Sequence, residues 1–212
     1  MPAAPPPETQ STEQVPDTVV RIGGWLFRKR TSIPLPIVAA LLLIPPVSDR
    51  SDAWLVWAGL PIVLAGEFIR LWGVHHIGSV SRTRTERLGP LIDHGPFAKV
   101  RNPLYVGNIL LWIGFAVSAR LVWLAPVVFA LLAVEYHAIV RWEERLLVGR
   151  MGDPYRQYLE RVPRWIPKWS GRSASGEDAA FSWRQTFYSE RGTLIAIAAG
   201  YLLLALKASL LG

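Results

Sequence analysis

The sequence predicts an all-α polytopic membrane protein with five transmembrane helices, a central helical hairpin and a cytosolic C-terminal segment. Three observations carry this. Apolar residues make up 51% of the chain and come in long runs rather than short periodic groups. Nineteen of the 23 Lys and Arg residues fall in three segments, 21–32, 73–102 and 141–192, which alternate with the runs as the positive-inside rule requires. Finally, the stretch KVRNPLYVGN opens one run with polar residues that a helix crossing only lipid would not need.

In chain order, residues 1–20 are Pro-rich and acidic, with no basic start and no apolar core. They read as a disordered tail rather than a signal peptide. RIGGWLFRKR is basic and aromatic, as suits a segment at the membrane surface. Residues 33–47 form the first apolar run, short for a span and crowded at its ends by Pro34, Pro36, Pro45 and Pro46; a re-entrant segment is the other reading. Residues 53–74 are long enough to cross. The runs 104–119 and 121–140 are broken only near Ser118–Arg120 and predict a tight helical hairpin. A flexible linker, SGRSASGEDAA, and a surface helix, FSWRQTFYSERG, precede the last run at 193–211. The organisation is a tail (1–20), a membrane core (21–192) and a final transmembrane helix (193–212). The N-terminus faces the cytosol and the C-terminus the outside.

Composition closes off several chemistries. Without Cys there are no disulfides, thiolate metal sites, cysteine nucleophiles or cysteine lipid anchors. Four His residues, His75, His76, His94 and His137, are too few for a histidine-rich di-iron site, and no metal is expected. No HExxH, Walker A or GxGxxG pattern occurs. The net charge of +7 is an orientation signal, because the basic residues flank apolar runs instead of forming a basic domain; no nucleic-acid partner is expected.

The chemistry gathers at the cytosolic mouth of the hairpin. Pro103 suits a first helical position and Asn102 its N-cap. Arg101 beside that helix N-terminus either makes an anion site or serves as a positive-inside anchor. Counting from the turn at ~1.5 Å per residue, Arg101 falls level with Ala138 and Glu135 with Leu104. Glu143 and Glu144 then lie about 7–9 Å further on. Glu67 and Arg70, spaced i,i+3, form an ion pair or contact substrate, and Asn108 hydrogen-bonds between helices. Asp153-Pro154 starts a short helix that stops at Val162-Pro163, with Tyr155, Tyr158 and Leu159 on one face. It caps the mouth, while Trp165, Ile166 and Trp169 dip into lipid.

Three ordered motifs then stand out: LIDHGPFAKVRNPLYVG, EERLL and GDPYRQYLERVPRWIP. They resemble the integral-membrane methyltransferases that include isoprenylcysteine carboxyl methyltransferases and phospholipid N-methyltransferases. The resemblance covers roughly Gly73 to Pro167, and the count of five spans looks like that of smaller prokaryotic members, hence a prokaryotic inner membrane. It implies S-adenosylmethionine as cofactor, bound from the cytosol by Leu91, His94, Gly95, Phe97, Val100, Arg101, Asn102, Tyr105, Glu143, Glu144, Tyr155 and Tyr158. The segment after the hairpin becomes a cofactor-binding segment. Catalysis falls to Arg101 and Glu144. Arg164, Glu135 and Glu67 are the candidate contacts to a lipid-like substrate within the bilayer. The family's R-H-P reads Arg101-Asn102-Pro103 here, so a role needing an imidazole at that position is lost. A membrane reductase using a nicotinamide cofactor and a non-enzymatic membrane component are the alternatives, and the oligomeric state is left open.

Overall fold

The computed structural model describes residues 17–46, 50–78, 91–168 and 180–211. Residues 1–16 and most of the expected 170–180 linker lie outside these. The described residues form seven α-helices: α1 (Thr18–Lys29), α2 (Leu35–Leu43), α3 (Trp54–Ile77), α4 (Pro103–Ser118), α5 (Leu124–Met151), α6 (Asp153–Arg161) and α7 (Trp183–Leu211). Short 3₁₀ turns occupy Arg50–Ala53 and Gly95–Ala98.

Local chemistry explains where the helices stop and start. The Asp17 side chain accepts from the Val19 amide at 3.0 Å, so α1 begins inside the stretch expected to be a tail. Prolines bound α2 on both sides, and its nine residues span only about 14 Å. Three helices, α3, α5 and α7, are long and apolar enough to cross a membrane, and α4 is a shorter apolar helix. Of the five expected spans, α2 with nine residues and α4 with 16 both fall short of that length. The expected surface helix and last span are one continuous helix, α7, of 29 residues. Asp153 is the first residue of α6 rather than its cap; Gly152 takes that position with a φ of 62°.

α3 and α4 pack most closely, and glycines make this possible. Gly59, Gly66 and Gly73 recur every seven residues on α3; Gly107 and Gly114 do the same on α4. A Cβ on Gly66 would lie 2.7 Å from the Gly107 carbonyl oxygen, and one on Gly107 would lie 2.6 Å from that of Gly66. Gly59 faces the Gly114 carbonyl and Ser118 in the same way. Close backbone approach of this kind substitutes for hydrophobic association where lipid surrounds both helices. α1 crosses α5 by a similar device, with Gly23 against Ala138 and Gly24 against Trp142.

The bundle has two ends. At one end lie α1, the last turn of α3, the start of α4, the end of α5, α6 and the start of α7. At the other lie the start of α3 and the α4–α5 turn, where the Ser118 hydroxyl donates to the Val56 carbonyl and receives the Tyr201 hydroxyl at 2.9 Å. The turn takes five residues, Ala119–Trp123, with Arg120 at φ 62°. Near this second end Lys207 of α7 donates to the carbonyls of Leu41 (2.7 Å) and Ile44 (2.5 Å), closing the C-terminus of α2.

Outward faces of the long helices expose Trp54, Trp57, Leu64 and Phe68 on α3, Phe129 and Val134 on α5, and Ile195, Leu202 and Leu206 on α7. These are the lipid-facing surfaces of an integral membrane protein. A polar node ties α7 inside the bundle. Arg70 of α3 reaches Glu67 at 3.3 Å, Glu190 at 2.5 Å, the Thr193 hydroxyl at 3.1 Å and the Asn108 side-chain oxygen on α4. Asn108 therefore bonds between helices, and Glu67 is engaged in this node.

Gly66→Ala is expected to lower thermal stability in detergent by about 1–3 kcal/mol, the range for overpacking a tight contact. Gly149→Ala, at a helical position with nothing within 4 Å, should leave stability unchanged or raise it by up to about 1 kcal/mol. Thermal unfolding of both variants checks the pair; equal effects would remove the seam from the account.

Candidate functional site

The site lies at the first end of the bundle, where four chain segments meet. The segment 91–101 leads into α4 through the 3₁₀ turn that contains Pro96, and Phe97 and Val100 are buried. The segment after α6 lies along this segment. The Arg101 amide donates to the Pro163 carbonyl at 2.9 Å and the Lys168 amide to the Lys99 carbonyl at 2.9 Å. The Tyr158 hydroxyl, buried, donates to the Phe97 carbonyl at 2.9 Å. Burial pushes the hydroxyls of Tyr158 and Tyr155 above their ordinary range, so both stay neutral. Their rings lie tilted to each other at 5.6 Å and with Val162 form a small apolar cluster that also receives Leu91.

Upon this backing sits an ionic cluster. Arg101 donates through Nε to the Val162 carbonyl and through Nη1 to Glu144 Oε1, both at 2.7 Å. Arg164 grips the same carboxylate with Nε at 3.1 Å and Nη2 at 2.6 Å. Glu144 is buried, and its hydrogen bonds hold the Arg164 guanidinium above its usual value. One turn into α4, the Tyr105 hydroxyl donates to Glu143 at 2.9 Å, and its ring lies tilted against that of Tyr136 at 4.7 Å. α4, α5 and the closing segment are thus joined through Arg101, Tyr105, Glu143, Glu144 and Arg164.

The structure brings Arg101, Tyr105, Glu143, Glu144 and Arg164 of the expected residues together, and their geometry differs from the expectation in three places. Asn102 holds the N-cap position but makes no capping bond; its side-chain amide donates to the Arg164 carbonyl at 3.1 Å, adding a tie to the closing segment. The Arg101 side chain meets Glu144, six residues beyond Ala138, the residue expected at its level. The five-residue turn moves the hairpin axis toward the C-terminus, and an extended arginine covers the remaining distance. Arg101 is also charge-paired, so it does not present an open anion site.

The other expected residues lie apart from this cluster. His94 is buried, with its Nε2 lacking a hydrogen-bond partner among the described residues, and its ring is 5.6 Å from that of His76. Gly95, at φ 58°, fits because a side chain there would strike the His76 ring. His75 stacks on Trp183 at 4.1 Å, so α7 reaches the rim. Glu135 is buried in α5 with one carboxylate oxygen that has no partner among the described residues. Among the described residues no group of three or more His, Asp and Glu side chains is arranged to hold a metal ion. Two features escaped the sequence reading. The heptad spacing of glycines was a readable signal for the α3–α4 seam. Nothing in the local sequence marked the pairing of Arg70 with Glu190.

The phospholipid methyltransferase family profile matches residues 54–153. A nickel-cobalt-cadmium resistance protein of Alcaligenes xylosoxydans xylosoxydans is 30% identical over 155 residues, covering 70% of each chain. The protein-S-isoprenylcysteine O-methyltransferase of Rattus norvegicus is 29% identical over 126 residues, 56% of this chain and 43% of that one. A methanethiol S-methyltransferase of Pseudomonas sp. (strain GM41(2012)) is 28% identical over 151 residues, 62% of this chain and 56% of that one.

Glu144→Ala leaves two guanidinium groups without their carboxylate and should destabilise the fold by about 3 kcal/mol, as when a buried pair is broken from one side. Asp153→Ala, whose exposed pair with Arg156 is 3.1 Å long, should cost under about 1 kcal/mol. Denaturant unfolding of the two variants in the same detergent measures the difference; a smaller loss in Glu144→Ala would demote the cluster.

Proposed function

The chain belongs to the phospholipid methyltransferase family, and we propose that it transfers a methyl group from S-adenosylmethionine to a lipophilic or amphiphilic acceptor at the cytoplasmic face of the membrane. The observation that carries this reading is the convergence of the three motif segments on the Arg101–Glu144–Arg164 cluster, with Tyr105 and Glu143 beside it.

The donor set suits this cofactor. His94 offers a buried ring nitrogen without a partner, Glu143 a carboxylate held by a tyrosine, and the segment before α4 a backbone turned toward the same end. Bound there, S-adenosylmethionine supplies an electrophilic methyl on a sulfonium centre. Glu143 and the faces of Tyr105 and Tyr136 would offset the positive charge. The N-terminus of α4 suits an anionic carboxylate. Methyl transfer depends on alignment of nucleophile, methyl and sulfur, so the residues that hold the wall matter as much as those that touch ligand. Arg101, Glu144, Arg164 and Asn102 take that role: they pin the closing segment against α4 and exclude water.

An acceptor that must lose a proton needs a base. Glu144 is poorly suited, because both of its oxygens are held by guanidinium groups. Glu143, or Glu135 with its free oxygen, is the better assignment. Glu67 is engaged by Arg70 and supports α3 rather than substrate in this reading.

Orientation follows from charge. In the sequence, segments rich in Lys and Arg flank the helix ends that carry the cluster, which supports a cytosolic N-terminus and a C-terminus outside. The contact of Lys207 with the end of α2 supports a chain that traverses the bilayer between α1 and α3. Bacterial relatives support a prokaryotic inner membrane.

Calorimetric titration of detergent-purified protein with S-adenosylhomocysteine should give a Kd of about micromolar, with no heat from NADPH. Glu143→Ala should weaken that binding about tenfold or more, a change of about 1.4 kcal/mol. Binding of NADPH alone would replace this reading with the reductase, and binding of neither would favour a non-enzymatic component.

A further inference from the structure

Arg30 follows the last turn of α1 and is half-buried. Among the described residues its guanidinium makes no hydrogen bond and no ion pair. It lies 4.1 Å over the Phe27 ring, and Phe27 packs on Trp142 at 4.8 Å. Gly24 lets Trp142 approach α1 closely, so this stack has a defined place. Trp142 immediately precedes Glu143, and the Arg30 charge acts on Glu143, Tyr105 and Tyr136. A guanidinium with all of its donors open thus stands at the edge of the candidate site. The other two guanidinium groups there, Arg101 and Arg164, are already taken by Glu144.

α1 itself has the form of a helix lying at the lipid head-group level. Ile22 and Trp25 are exposed on it, and Arg21, Arg28 and Lys29 are exposed beside them. An amphiphile approaching from the bilayer would meet this helix before it met Tyr105. A partly desolvated guanidinium gains most from an anion that can use its planar fork.

We propose that Arg30 binds the anionic group, a phosphate or carboxylate, of the lipid-like acceptor and so holds its head group beside Tyr105 and Glu143. This rests on the methyl-transfer reading above and deepens it. α1 lies outside the 54–153 segment matched by the family profile. A carboxylate on the cofactor has the same chemistry, and the experiment separates the two sources.

Full-length protein in dodecyl maltoside is unfolded thermally with dihexanoyl-phosphatidic acid or dihexanoyl-phosphatidylcholine as probe, and titrated in parallel with S-adenosylhomocysteine. Phosphatidic acid should raise the Tm of the unaltered chain and of Arg28→Met by about 4 °C, with phosphatidylcholine giving less. Arg30→Met should lose that shift while keeping its affinity for S-adenosylhomocysteine; Arg30→Lys should keep part of the shift, and Arg30→Gln replaces the Met variant if that one does not fold. A full shift in Arg30→Met, an equal loss in Arg28→Met, or a tenfold loss of S-adenosylhomocysteine affinity in Arg30→Met would each overturn the assignment. Failure of the unaltered chain to bind S-adenosylhomocysteine would instead overturn the reading of the ligand as a methyl acceptor, whatever the lipid arm shows.

Discussion

Glu144 is the constraint on which the mouth of this bundle depends. A carboxylate near the end of a membrane helix is tolerated when it is paired, and this one accepts from two guanidinium groups that belong to different parts of the chain. Arg101 immediately precedes the N-cap of α4, and Arg164 sits in the segment after α6. One buried acid therefore determines how the segment before α4, the hairpin and the closing segment lie against one another. The backbone bonds from Arg101 to Pro163 and from Lys168 to Lys99 then extend the contact along both segments.

Further from the mouth, packing rather than charge sets the geometry. The glycine seam draws α3 against α4 until their backbones touch, which brings Arg70 beside Asn108. From that position Arg70 reaches Glu190 and Thr193, and α7 is held by polar contacts while its outward face stays apolar. The seam, the Arg70 node and the α4–α5 hairpin form one frame. It keeps Tyr105 and Glu143 at a common level, which is what alignment for group transfer asks of a scaffold.

The pairing within the cluster has a functional consequence. Charges expected to face ligand are largely turned toward each other, and among the described residues at this end the groups with open capacity include Glu143, His94, Glu135 and Arg30. They lie on α5, on the segment before α4 and after the last turn of α1.

Much of this was legible in the sequence. Long apolar runs flanked by basic residues are dictated by the bilayer itself, because lipid demands internally satisfied backbone, and so the helical class, the hairpin and most helix limits could be read directly. The residues of the ionic cluster could be named as well, since their motifs are local and ordered. Which of them pair could not. Arg101 meets Glu144 across 43 residues and Arg70 meets Glu190 across 120, and such pairings depend on turn length and helix rotation that no local window contains. The same holds for α7, where an apolar run and the stretch before it fuse into one helix, its first turns anchored to α3 by His75 through Trp183 and Thr186 and by Arg70 through Thr193. Sequence alone determined which groups reach the membrane mouth; tertiary structure decided which of them remain available there, because a charge brought out of water is settled by the partner that packs beside it.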